Sequence, residues 1–141
     1  MPEESTTPDL VELTHRFFEA ANKREFDSIP GFYAPDAVLD SMGMGASFEG
    51  VAAIRGFFED FIGAYEEWEV EPEETLDLGN GVTFSVALQQ GRPVGSSGRV
   101  QMRFASVGLW ADGAVVRQTL YTDIDEARAA AERLAQERAD G

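Results

Sequence analysis

The sequence predicts a single α+β domain, with helices in the first half of the chain and antiparallel strands in the second. Apolar residues recur every three or four positions up to Tyr65, which is the period of a helix with one buried face. From Trp68 onward, apolar and polar residues alternate, which is the period of a strand. The length of 141 residues suits one ordinary domain.

The first half contains three helical segments. Thr7-Pro8-Asp9 begins the first, because threonine can cap, proline suits the first turn and an early aspartate complements the positive helix end. A short helical turn is expected at residues 27–33, and a strongly apolar helix runs from Gly50 to Tyr65. The first helix carries this apolar stripe: Leu10, Leu13, Phe17 and Ala21.

A short strand and an apolar flap separate the second and third helical segments. The strand is expected at residues 37–40 and ends at Asp40. The next seven residues, 41–47, contain two glycines and two methionines. Glycine frees the backbone and methionine adapts its shape to a neighbour. We therefore expect a mobile flap whose Met42 and Met44 contact a ligand.

Turn signals divide the second half into four strands and a final helix. Gly79-Asn80-Gly81 predicts a tight hairpin turn, and residues 91–98 predict a flexible loop. Asp123, followed by Glu126 three residues later, indicates the capped start of a helix that runs to about Arg138. The expected strands begin at Trp68 and then occupy 82–89, 99–110 and 115–121.

The charge and the composition exclude several classes of function. The chain has 11 basic and 26 acidic side chains, a net charge of −15, which repels nucleic acids and anionic membranes. No apolar run approaches the ~20 residues needed to span a bilayer. Cysteine is absent and His15 is the single histidine, so we expect neither a metal site nor a cofactor.

The two ends of the domain are expected at residues 9 and 138. Residues 1–8 are polar and acidic and lack the basic start and apolar stretch of a secretory signal. We expect this segment to be a flexible tail, residues 9–138 to form one domain, and the protein to be cytoplasmic.

One strand is apolar enough to predict a homodimer. Val82, Phe84 and Val86 share one face of the strand, and the opposite face carries the small neutral residues Thr83 and Ser85. A strand with no hydrophilic face usually has both faces covered. We therefore expect two copies of the chain to associate through the outer face of the sheet.

Two stretches of sequence resemble a known family. Residues 32–58 include Phe-Tyr-Ala-Pro-Asp-Ala-Val-Leu-Asp, Phe-Glu-Gly and Ala-Ile-Arg-Gly-Phe-Phe, and residues 99–127 include Val-Gln-Met-Arg-Phe-Ala-Ser-Val. Both resemble the SnoaL-like and ketosteroid-isomerase-like branch of the nuclear transport factor 2 superfamily. The resemblance implies a cystatin-like α+β roll: a cone-shaped, curved, mainly antiparallel mixed sheet wrapped around three helices, with a C-terminal helix. This architecture hosts several enzymes and also non-catalytic binders.

The resemblance to ketosteroid isomerase implies a role for Asp40. Asp40 matches the position of the general-base carboxylate of that enzyme. The two hydrogen-bond donors that stabilise the enolate there correspond to Phe17 or Phe18 and to Ser106, so the electrophilic half of that site is missing.

Two other enzymes of the superfamily match less well. Limonene-epoxide-hydrolase-like proteins activate water with an arginine and two aspartates, which correspond to Ser85, Ala87 and Leu120. The aspartate that SnoaL-like cyclases use also corresponds to a position near Leu120. Both mechanisms are therefore disfavoured.

The sequence is compatible with two functions. The first is proton transfer on a small apolar carbonyl compound, of the isomerase or lyase type, with Asp40 as the base. The second is a non-catalytic module that binds a small hydrophobic molecule or serves as a structural homodimer. The face of strand 99–110 that lines the pocket depends on its register. The expected ligand contacts are Phe17, Tyr33, Met42, Met44, Phe58, Phe104, Ser106, Gln118 and Tyr121.

Overall fold

The computed structural model describes residues 9–140, which form one six-stranded sheet with helices on both faces. The tail expected at residues 1–8 lies outside these residues. The helices are α1 (Leu10–Asn22), α2 (Val51–Gly63) and α3 (Ile124–Asp140), with a 3₁₀ turn at Ile29–Phe32. The strands are β1 (Tyr33–Ser41), β2 (Ala46–Glu49), β3 (Tyr65–Gly79), β4 (Val82–Pro93), β5 (Val100–Ala111) and β6 (Ala114–Tyr121).

The sheet is curved, mixed and mainly antiparallel, as expected. Its strand order is β2-β1-β6-β5-β4-β3, and β1 and β6 form the parallel pair. The other neighbouring strands are antiparallel. The predicted fold class, an α+β roll with a C-terminal helix, is confirmed. Within residues 9–140, no helix combines the length and the apolar character that crossing a bilayer requires.

The first strand and the flap differ from the expectation. β1 is longer than residues 37–40, because β6 pairs with one of its edges and β2 with the other. The flap narrows to a four-residue turn between β1 and β2. The Met42 N–H donates to the Leu120 carbonyl at 2.9 Å and ties the start of this turn to the sheet. The segment is therefore a hairpin, with a four-residue turn between two paired strands of the sheet.

The cap predicted at Asp123 is confirmed, whereas the capping residue of α1 is Asp9, which was expected inside the first turn of that helix. Asp9 caps α1 and accepts a hydrogen bond from the backbone of Glu12, while Thr7 and Pro8 lie outside the described residues. Asp123 likewise accepts from the backbone of Glu126 at the start of α3. The helical turn at 27–33 shortens to a single 3₁₀ turn, because Tyr33 already pairs as the first residue of β1.

The turn between β3 and β4 requires glycine. Asn80 and Gly81 both have positive φ angles, 59° and 82°, which is the geometry of a two-residue hairpin turn. A Cβ atom at Gly81 would lie 2.6 Å from the carbonyl oxygen of Trp110. The Gly79-Asn80-Gly81 prediction is therefore confirmed, with a close contact as a second reason for the glycine.

The inner face of the sheet packs against α1, the 3₁₀ turn and α2. The buried residues of this core include Ile29, Leu39, Ile54 and Ile62, all of which are fully inaccessible to solvent. Aromatic side chains from both helices complete the layer. This arrangement places the aromatic residues of the first half of the chain over the centre of the sheet.

The outer face of the sheet is covered by α3. The apolar side chains of β4 and β5 on this face pack against three buried alanines of the helix. The guanidinium of Arg128 lies 4.7 Å from the ring centroid of Phe84 and pairs with Glu74. The apolar face of β4, from which a homodimer was predicted, is thus covered by α3 of the same chain. A second copy of the chain is not needed to bury this face. The cluster comprises Val82, Phe84, Val86, Ala105, Val107, Ala127, Ala131 and Ala135.

Candidate functional site

A cavity of about 310 Å³ lies between α1, α2 and the inner face of the sheet. Phe17 of α1 lines this cavity, and its ring lies edge-on to the rings of Phe32 and Phe58. Helical spacing presents the aromatic residues of α2 to the same space. The aromatic residues that line the cavity are Phe17, Phe18, Phe32, Tyr33, Phe57, Phe58, Phe61, Trp68, Phe104, Trp110 and Tyr121.

The cavity wall carries no charge among the described residues. The lining includes no Asp, Glu, Lys, Arg or His, although the chain has a net charge of −15. An ion inside would lose its hydration without gaining a counter-charge, which is costly. The cavity is therefore suited to an uncharged molecule.

Three polar side chains form a hydrogen-bonded chain along the wall. The Tyr33 hydroxyl donates to Oε1 of Gln118, and Nε2 of Gln118 donates to Oγ of Ser106 at 2.9 Å. The Tyr33 side chain is buried, and burial raises the pKa of its hydroxyl far above the ordinary value of 10.0. The hydroxyl therefore keeps its proton at any physiological pH.

Other polar groups of the wall are held by tryptophans. The indole N–H of Trp110 donates to Oγ1 of Thr83 at 2.9 Å, and the indole N–H of Trp68 donates to Oε1 of Gln89 at 3.3 Å. Ser85 stands directly opposite Ser106 in the β4–β5 register. β4 therefore contributes a row of small polar groups to a wall that is otherwise apolar.

The structure brings together eight of the nine expected ligand contacts. The exception is Met42, which lies at the first position of the hairpin turn, outside the cavity, and is 54% exposed. The register of β5 turns Met102, Phe104 and Ser106 inward, while Arg103 pairs with Glu73 outside. The eight residues that line the cavity are Phe17, Tyr33, Met44, Phe58, Phe104, Ser106, Gln118 and Tyr121.

Asp40 does not line the cavity, in contrast to its expected place beside a ligand. The alternation of β1 buries Leu39 and Ser41 on the inner side, so Asp40 faces the other way. Its carboxylate pairs with Arg117 at 2.8 Å and accepts a hydrogen bond from Ser47. These contacts occupy both carboxylate oxygens, and nothing in the geometry supports proton abstraction by Asp40.

Replacing Asp40 with asparagine tests this assignment. We expect Asp40→Asn to leave ligand affinity unchanged within about twofold and to reduce the free energy of unfolding by about 1 kcal/mol, because it removes a partly buried ion pair. Chemical denaturation and a binding titration measure the two quantities. The control is Asp36→Asn, an exposed position of the same strand. A tenfold loss of affinity in Asp40→Asn alone would contradict the placement.

Several residues that line the cavity were not predicted from the sequence. Trp68, Gln89 and Ser85 line the cavity but were not among the expected ligand contacts. Gln89 and Ser85 belong to β4, whose two faces cannot be distinguished by alternation alone. The signal was present in the row of polar residues on β4, which alternates with an apolar row. Only the position of α3 decides that the apolar row faces outward and the polar row faces the cavity.

Comparison with known proteins supports the fold. Residues 14–118 match the family model of the SnoaL-like domain. No curated protein matches the sequence of this chain. The match extends from the middle of α1 to Gln118 of β6, so it covers most of the residues that line the cavity.

Solved structures with the same architecture share little sequence with this chain. A hypothetical protein from Catenulispora acidiphila DSM 44928 with a ketosteroid isomerase-like fold, in complex with trimethylamine, is 14% identical, with a TM-score of 0.73 and coverage of 85% of this chain and 92% of that chain. A protein of unknown function from Burkholderia pseudomallei K96243, described as NTF2-like, is 16% identical, with a TM-score of 0.72 and coverages of 89% and 98%. These likenesses establish the fold.

Proposed function

The chain belongs to the SnoaL-like domain family, and from its own cavity we propose that it binds a small, uncharged, largely aromatic molecule. The observation that carries this proposal is the wall itself, which is rich in aromatic side chains and free of charge among the described residues. Known ligand cavities have volumes from roughly 300 Å³ upward and are mainly apolar with a few convergent polar groups. A cavity of about 310 Å³ falls at the lower end of that range.

The rim of the cavity, where Met44 and Met102 are exposed to solvent, favours an apolar ligand as well. Met44 lines the cavity and is 60% exposed, and Met102 lines it and is 43% exposed. Both side chains therefore reach from the cavity to solvent. Methionine adapts to ligands of different shape, so this rim suits an apolar molecule entering from water.

Proton transfer is the less supported function. The residue expected to act as the base, Asp40, is paired with Arg117 outside the cavity. By the resemblance stated above, the position near the aspartate of SnoaL-like cyclases holds Leu120, and the position of one enolate-stabilising donor of ketosteroid isomerase holds Ser106. With no carboxylate or imidazole among the described wall residues, the cavity offers a polar surface for binding but no base of ordinary strength.

Filling the cavity tests the proposed function. We expect the wild-type protein to bind the neutral fluorescent probe N-phenylnaphthylamine, and we expect Ser106→Phe to weaken this binding at least tenfold. The added ring would occupy cavity space beside Phe104 and Gln118. Fluorescence titration gives the affinity, and circular dichroism verifies that the variant is folded.

The matched control places the same ring on the surface. Ser97→Phe changes an exposed residue of the β4–β5 loop and should bind the probe with wild-type affinity. If Ser106→Phe folds and binds as tightly as Ser97→Phe, the probe binds elsewhere and the proposed function is wrong. Failure of the wild-type protein to bind any neutral aromatic probe would have the same meaning.

A further inference from the structure

We propose that Tyr33 acts through Gln118 as a positioning residue that makes Ser106 a hydrogen-bond donor toward the ligand. The site would then select molecules that present a carbonyl oxygen over matched molecules that present a hydroxyl. This inference rests on the proposed function, because it concerns the ligand of the same cavity. It adds the chemical group that the polar part of the wall recognises.

The Tyr33 hydroxyl is the first donor of the hydrogen-bonded chain. Within residues 9–140, Gln118 is the one hydrogen-bond partner of the Tyr33 hydroxyl. In the structure, the amide oxygen of Gln118 faces this hydroxyl and the amide nitrogen faces Ser106. The hydroxyl therefore donates, and its partner at Gln118 must be the carbonyl oxygen.

The Gln118 amide in turn donates a hydrogen bond to Ser106. An amide has an oxygen that accepts and a nitrogen that donates, so occupation of Oε1 by Tyr33 turns Nε2 toward Ser106. The Ser106 oxygen accepts this bond, and its own proton has no acceptor among the described residues. Ser106 lines the cavity, so this proton is available to a ligand.

A ligand carbonyl satisfies this arrangement fully. Its oxygen accepts the Ser106 proton and it brings no proton that needs an acceptor. An alcohol of the same shape brings a proton that needs an acceptor, and the Gln118 oxygen already accepts from Tyr33 and has only its second lone pair left for that proton. Ser85, opposite Ser106, can also accept that proton, so we expect the discrimination to be moderate, at about tenfold.

A ketone and its reduced alcohol provide the test. Methyl naphthyl ketone and the corresponding naphthyl ethanol share one carbon skeleton and differ in the oxygen group. Displacement of N-phenylnaphthylamine gives the affinity for each compound. We expect the wild-type protein to bind the ketone about tenfold more tightly, and we expect this ratio to fall to about twofold or less in Tyr33→Phe. Without the tyrosine hydroxyl, the Gln118 amide can turn over and accept from Ser106.

The ratio separates a positioning role from a structural one. General loosening of the cavity in Tyr33→Phe would weaken both compounds together and leave the ratio unchanged, which would overturn the inference. Tyr65→Phe is the control, since Tyr65 does not line the cavity, and its ratio should equal that of the wild-type protein. If Tyr33→Phe does not fold, Gln118→Met interrupts the same chain and should also lower the ratio.

The remaining outcomes distinguish failure of this inference from failure of the proposed function. If the wild-type protein binds both compounds with equal affinity, the directional chain is wrong while the binding function stands. If it binds neither the probe nor the two compounds, the proposed function is wrong and this inference falls with it. A tenfold preference that Tyr33→Phe removes and Tyr65→Phe preserves supports the positioning role of Tyr33.

Discussion

Ala131→Asp is expected to detach α3 from the sheet and to make the protein self-associate. Ala131 is fully buried between the helix and the outer face of the sheet, where its neighbours are apolar. Arg128, which contacts Phe84 of the same cluster, already pairs with Glu74, so a carboxylate at position 131 would be buried without a counter-charge of its own, which costs about 3 kcal/mol or more. The helix would instead separate and expose the apolar row of β4 and β5.

The exposed row explains the expected association. Val82, Phe84 and Val86 form a continuous apolar surface on β4 once α3 is removed. Surfaces of this kind mediate contacts between protein molecules or cause aggregation. Light scattering should therefore give a higher mass for Ala131→Asp than for the wild-type protein at the same concentration, together with a lower Tm.

Ala129→Asp is the matched control for this variant. It places the same carboxylate two residues earlier in α3, at an exposed position. We expect its free energy of unfolding to lie within about 0.5 kcal/mol of the wild-type value, with no change in mass. If Ala131→Asp had the same Tm and mass as Ala129→Asp, this result would contradict the packing of α3 against the sheet described above.

Gly91→Ala is expected to reduce the free energy of unfolding by about 3 kcal/mol or more. Gly91 is buried in β4 and lies opposite Trp68 of β3. A Cβ atom there would lie 2.3 Å from the carbonyl oxygen of Glu67 and 3.2 Å from the Cα of Trp68. Because these are backbone atoms of the paired strand, the two strands would have to separate. Denaturant titration measures the loss.

The effect of Gly91→Ala should also reach the cavity. Trp68 lines the cavity and donates to Gln89, two residues before Gly91. A shift of β3 would move this part of the wall, so we expect weaker probe binding as well. An unchanged stability and affinity in Gly91→Ala would contradict the β3–β4 register.

Gly56→Ala is the control for the same chemical change. Gly56 lies inside α2, and a Cβ atom there would meet no atom within 4 Å. Alanine in a helix interior is more favourable than glycine by roughly 0.5–1 kcal/mol, so this variant should be slightly more stable than the wild-type protein. A severe loss in both variants would mean that backbone contacts are not the cause.

Local sequence signals correctly predicted most of the elements. The stripe that begins at Leu10, the turn at Gly79-Asn80-Gly81 and the cap at Asp123 each depend on residues close together in the chain. Periodicity and turn chemistry report on such local preferences directly. Gly91 was expected in a loop but belongs to β4, and local signals do not reveal this because the close approach of Glu67 comes from another strand.

Only the part of the candidate site that depends on local spacing was predicted from the sequence. Aromatic residues such as Phe17 and Phe58 repeat at helical spacing, so their burial on one face follows from the sequence. Asp40 was expected beside the ligand, yet one step along a strand reverses the face of a side chain. Arg117, its partner, lies 77 positions away in the chain, and no local pattern reveals that pairing.

The sequence by itself determined the fold class, the order of the elements other than β2, and the aromatic character of the interior. Each of these follows from local periodicity, turn residues and composition. The tertiary structure alone decided which face of each strand meets the cavity, that α3 covers the outer face, and that Tyr33, Gln118 and Ser106 form one hydrogen-bonded chain. These features depend on register and on contacts between distant residues, which no single segment of the chain encodes.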